Sequence, residues 1–106
     1  MITEAKVEEA LSYIARHAEP LAEARAQVKY LDHKRKVIRA TKFAEYTGTV
    51  AEREAYAERH QEYMDNLELY RSAVYDAELI STKMKAAELT IQVWQTQSAN
   101  NRRANV

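Results

Sequence analysis

Apolar residues recur at helical spacing along almost the whole chain. Thr3 can cap a helix that begins at Glu4, in which Val7, Ala10, Leu11 and Ile14 step by three and four residues along one face. This first helix is expected to end near His17. Glu19-Pro20 follows, and proline disfavours helix in the residue before it while suiting the first turn of the next. A second helix is expected from about Pro20 to Tyr46. It carries two apolar stripes, Leu21, Ala24, Val28, Leu31 and Ile38 on one side and Ala26, Tyr30, Val37 and Ala44 on another, so it should pack against two neighbours.

The strongest break falls at Thr47-Gly48-Thr49-Val50-Ala51-Glu52. Gly48 suits a left-handed helix cap, and Thr49-x-x-Glu52 has the spacing of a capping box, in which each side chain satisfies a backbone donor. A short helix from Val50 is expected to loosen around His60-Gln61. The longest segment, Glu62 to about Gln97, contains neither Gly nor Pro. Tyr63, Leu67, Tyr70, Val74 and Ala77 step along one face, and after one short step Ile80, Met84, Ala87, Ile91 and Trp94 continue it. That pattern predicts a coiled-coil-like stripe with a register shift. Residues 98–106, with three Asn and two Arg, read as a frayed polar tail.

A helix of about 36 residues rising ~1.5 Å each is ~54 Å long, roughly twice the dimension of a compact 100-residue domain. Its own chain can cover it only as an antiparallel hairpin, with the first helix over the remainder near Trp94. The expectation is therefore an all-α, single-domain chain over 1–106. It should be an elongated antiparallel hairpin with an extra N-terminal helix and a short helix at the turn. Apolar surface left over predicts a homo-oligomer, most simply a dimer.

Composition narrows the function classes. The 106 residues include no Cys, one Gly, one Pro, and 16 basic against 16 acidic side chains. The absence of Cys excludes disulfides, thiolate metal sites and a Cys nucleophile, and it fits a reducing compartment. No run approaches the ~18 apolar residues of a membrane span, and Met1-Ile-Thr-Glu lacks the basic start and apolar stretch of a signal peptide. A cytoplasmic protein with no membrane association is expected. A carboxylate-rich helical chain invites comparison with di-iron bundles, which need Glu-x-x-His pairs. Ile14, Tyr30 and Ala57 stand three positions before His17, His33 and His60, so that motif is missing. Ser12, Ser72, Ser81 and Ser98 have no nucleophile-elbow context, and no Gly-rich loop exists to hold phosphates. No catalytic residue, metal or cofactor is expected, and the chain reads as a non-enzyme.

Two surfaces carry alternatives. Arg25, Lys29, His33, Lys36 and Arg39 fall within about a third of the helix circumference, with Lys42 beyond, forming a basic stripe ~21 Å long. Arg25, Lys29, Lys36, Arg39 and Lys42, with Arg102 and Arg103 of the tail, are candidate nucleic-acid contacts. Alternatively the stripe is neutralised within the chain. If Tyr46 turns into the hairpin opposite Gln61, Lys42 lies near Asp65, Arg39 near Glu68, Lys36 near Arg71 and Lys29 near Glu78. The net charge by segment is −2 for 1–20, +4 for 21–46, −5 for 47–78 and +3 for 79–106, which favours that pairing. Tyr56, Tyr63 and Tyr70 repeat every seven residues, on one face if the helix is continuous. With Met84, Ile91 and Trp94 they are candidate interface residues, either packed in the seam or forming a recognition surface.

The stretch Lys85-Ala86-Ala87-Glu88-Leu89-Thr90-Ile91-Gln92-Val93-Trp94-Gln95-Thr96-Gln97-Ser98-Ala99-Asn100-Asn101-Arg102 resembles the C-terminal signature of a family of small helical bacteriophage early-region proteins. Gly48-Thr49-Val50-Ala51-Glu52-Arg53-Glu54-Ala55 and Glu62-Tyr63 are similar too, so the likeness covers about residues 28 to 103. Where the family often has a proline before the Glu-Tyr pair, this chain has Gln61. The resemblance implies a phage setting associated with recombination or replication and names no catalytic residue. The expected function is that of a non-enzymatic accessory protein that self-associates and meets a host or phage protein through its helices. The alternative is nucleic-acid binding through the basic stripe.

Overall fold

In the computed structural model, which describes residues 1–105, the chain forms three helices, α1 (Glu4–Glu45), α2 (Val50–Arg59) and α3 (Gln61–Ala104). There is no strand among the described residues. The all-α hairpin expected from the sequence is the architecture adopted, with the short helix at the connection. The chain divides into two compact units. One joins Met1–Ala22 to α3 from Glu78 onward, and there the Ile2 N–H donates to Gln97 Oε1 at 3.2 Å. The other is Glu23–Ala77, in which α1 runs antiparallel to the start of α3 and α2 packs beside them.

Two boundaries differ from expectation. There is no separate N-terminal helix, because α1 passes through Pro20 without a break. The missing proline N–H deprives only the Arg16 carbonyl of its helical donor, and both residues are exposed, so water can reach that oxygen. Ile14, His17, Leu21 and Ala24 are buried or half-buried on both sides of the proline, and that packing outweighs its local cost. At the other end, the expected frayed tail is helical as far as Ala104, while Val106 lies outside the described residues. Arg102 and Arg103 sit in the last turn, where positive charge suits the helix dipole.

The seams are more regular than the apolar residues alone suggested. On α3 the positions facing inward are Tyr63, Asn66, Tyr70, Ala73, Ala77, Ile80, Met84, Ala87, Ile91 and Trp94, each buried or half-buried. These alternate steps of three and four without interruption, so the expected register shift does not exist. The expected stripe took in Leu67 and Val74, whereas Asn66 and Ala73 are the buried residues at those two steps and Leu67 is exposed. On α1 the same alternation runs through Val7, Ala10, Ile14, His17, Leu21, Ala24, Val28, Leu31, Arg35, Ile38 and Lys42. A heptad repeat on each helix is what two-helix coiled-coil packing needs.

Gly48 does not act as a left-handed cap, since no residue among those described has a positive φ. Its lack of a side chain matters for space, because a Cβ there would stand 2.5 Å from Glu52 Oε2 and 3.2 Å from the Tyr46 ring. The Thr49 half of the capping box forms, with its hydroxyl accepting from the Glu52 N–H at 3.2 Å. The loosening expected at His60-Gln61 is a break of one residue. His60 closes α2, and its Nδ1 accepts from the Glu62 N–H at 3.1 Å, so one imidazole also caps α3.

Candidate interaction surfaces

Three of the six side chains of the basic stripe on α1 are engaged inside the second unit, but not with the expected partners. Lys42 Nζ lies 3.1 Å from Glu62 and 3.4 Å from Glu45, with its side chain only 14% exposed. Arg39 meets Glu58 of α2 at 3.0 Å. Lys36 and Arg35 share Asp32, one turn back on the same helix, at 3.8 and 2.9 Å. The sequence register set Tyr46 opposite Gln61, whereas Asn66 bonds to Leu31. The last turns of α1 therefore run past the start of α3, and α2 folds back over them. Glu62 and Glu58 thereby stand where Asp65 and Glu68 were expected, while Lys36 pairs with Asp32 of its own helix. Arg25 and Lys29 are exposed and make no ion pair among the described residues, and Arg102 and Arg103 are likewise exposed.

These contacts set the charge state of the cluster. The Arg35 guanidinium hydrogen-bonded to Asp32 holds that carboxyl below its usual value, against the opposing effect of burial. The same bond, joined by the Tyr63 hydroxyl, raises Arg35. Glu62, and after it Glu45, raises Lys42. A cation held by such neighbours is less available to a phosphate than an exposed one.

The short helix is fastened by a contact that sequence reading missed. Arg53 lies over the Phe43 ring at 4.3 Å to the centroid, and its Nε donates to the Phe43 carbonyl at 2.9 Å. That carbonyl belongs to the last turn of α1 and has no helical donor of its own, so α2 completes the end of α1. Ala57 is completely buried, and Tyr46 and Tyr56 stack at 4.8 Å with the His60 ring edge-on to Tyr56. Tyr56 is therefore on α2 and does not share a continuous helix face with Tyr63 and Tyr70. Tyr63 is buried, while Tyr70, Met84, Ile91 and Trp94 are half-buried in the α3 seam.

Three open clefts lie in the second unit. One of about 540 Å³ runs between α1 and α2, lined by Arg35, Lys36, Arg39, Ala40, Phe43 and Glu54. The other two, about 220 and 140 Å³, lie on the α1–α3 groove and share Leu69. No group of three or more His, Asp or Glu side chains that could hold a metal occurs among the described residues. No described helix is long and apolar enough to cross a membrane. Large apolar side chains outside the seams remain exposed, among them Tyr30 and Val37 on α1 and Leu69, Tyr75, Leu79 and Leu89 on α3. The chain matches no family model, no curated protein and no solved structure.

Proposed function

We propose that the protein is a non-enzymatic, phage-type accessory protein that works by self-association and by presenting helix faces to a host or phage protein, in the setting of phage DNA recombination or replication. The observation that carries the protein-contact reading is the set of exposed apolar side chains outside the seams of α1 and α3. A single exposed apolar side chain is ordinary, whereas several on the outer faces of two helices suit contact with another molecule. The phage setting rests on the resemblance of Lys85–Arg102 to its family signature.

Nucleic-acid binding through α1 is the weaker proposal, since Lys36, Arg39 and Lys42 already meet carboxylates within the fold. Light scattering coupled to size-exclusion chromatography tests the main reading. A dimer or higher oligomer at tens of micromolar supports it, and a well-folded monomer across that range removes self-association from it.

A further inference from the structure

We propose that the open α1–α3 groove of the Glu23–Ala77 unit is a two-fold docking face for a second copy of this chain, with Leu69 as its central knob. The inference rests on the self-association read above and names the surface that performs it.

The groove has one covered side and one bare side. The α2 helix packs on the edge of α1 that carries Arg39 and Phe43. Lys34 lies about 140° round α1 from Arg39, and Gln27 lies two turns before it on that same uncovered edge. Leu69 stands there 57% exposed, with a hollow on each side. The larger is floored by the small side chains of Ala24 and Ala73 and closed by Leu31, and the smaller is lined by Lys34, Asp65 and Asn66. Beneath this lining Asn66 Oδ1 is buried without a hydrogen-bond partner.

A projecting leucine and a hollow floored by small side chains on one surface are the two halves of a knob-into-hole contact. A two-fold interface uses one patch against itself and needs both halves on it. A two-fold axis parallel to the helices lays α1 of one copy antiparallel over α3 of the other, each residue over those it already stands level with. Leu69 then meets the Ala24–Leu31 stretch of the other copy, and Lys34 meets its Asp65. Charge favours this arrangement over α1 on α1. Among residues 23–45 the charged side chains outside the ion pairs of the described residues are Arg25, Lys29 and Lys34 against Glu23 alone, whereas among 61–77 they are Asp65 and Asp76, both acidic. Lys34 makes no ion pair among the described residues and is available to the other copy.

The test is sedimentation equilibrium on the full chain with L69E, K34E and D65K variants, each checked for helicity by circular dichroism. L69E is expected to weaken dimerisation by on the order of 30-fold or more, as removal of a central anchor does. K34E and D65K each place like charges across the axis twice and should dimerise poorly alone. An equimolar mixture of the two should recover a heterodimer, since both cross-axis pairs become opposite in sign. This mixing arm decides the matter if L69E loses helicity. A wild-type dimer indifferent to all three variants overturns this face and leaves self-association standing. A wild-type monomer overturns both.

Discussion

Asn66, 2% exposed on α3, donates its side-chain amide to the backbone carbonyl of Leu31 at 3.1 Å, joining positions 35 residues apart. The bond forms only when those two turns are level, so it discriminates this register from its neighbours. A shift of either helix would leave the amide buried with neither of its groups satisfied. A single polar residue in a heptad seam is known to select register at a cost in stability.

Asn66→Leu should therefore raise stability, by about 1 kcal/mol, because a buried oxygen without a partner is removed. The gain should come with looser register, seen as faster hydrogen exchange at amides of α1 around Leu31. A lower melting temperature together with unchanged exchange would contradict this account.

Pro20 should be replaceable with benefit. Alanine restores the hydrogen bond to the Arg16 carbonyl within a helix that is already continuous, so Pro20→Ala is expected to stabilise by about 1–3 kcal/mol. Thermal unfolding by circular dichroism measures it, and a melting temperature below that of the wild type would show that proline supplies something the helix needs.

Arg53→Ala should cost about 1–2 kcal/mol, since it removes both the contact with the Phe43 ring and the donor to the Phe43 carbonyl. Arg53→Lys should recover little of this, because an ammonium lacks the planar group that stacks and donates together. Near-ultraviolet circular dichroism should report the loosening through the stacked Tyr46 and Tyr56.

The ion-pair cluster predicts the shape of the stability–pH curve. Asp32 titrates below its unfolded value of 3.8, so its contribution is present above that pH and is lost as pH falls through the folded value. Lys42 titrates above 10.5, so its contribution is present below that pH and is lost as pH rises through the folded value. Stability should be flat in between as far as these two groups are concerned. Asp32→Asn should flatten the acid limb alone and Lys42→Met the alkaline limb alone, in chemical denaturation followed across pH.

The same pairing limits binding to DNA by α1. With Arg25 and Lys29 as the unpaired cations of the stripe, replacing both by alanine should make the slope of log affinity against log salt for duplex DNA shallower by about 1.8. A comparable change on replacing Lys36 and Arg39 would require these to leave their carboxylates for phosphates, and fluorescence anisotropy over a salt series separates the two.

Much of the architecture was legible in the residues. The scarcity of Gly and Pro, the three-and-four spacing of apolar positions and the Thr49 cap were enough for a helical hairpin with a short helix at its turn, because each acts within a few residues of itself. Pro20 misled for the same reason. Proline locally favours a break, but the seam on both sides of it, from Ile14 to Ala24, holds the helix through.

Partners distant in sequence were another matter. Opposite charges on α1 and α3 showed that the basic stripe had acidic neighbours available, but which ones depended on the register. Asn66 offered a faint signal, since it fills the gap of seven between Tyr63 and Tyr70, yet a polar residue is invisible to a search for apolar periodicity. Local patterning therefore determined that the chain is a helical hairpin and which side of each helix turns mostly inward. Only the tertiary structure decided the pairing of Leu31 with Asn66, the docking of Arg53 on Phe43 and the exposure of Leu69. Each of these depends on how far one helix slides along another, which is set by packing summed over many turns and by no single residue.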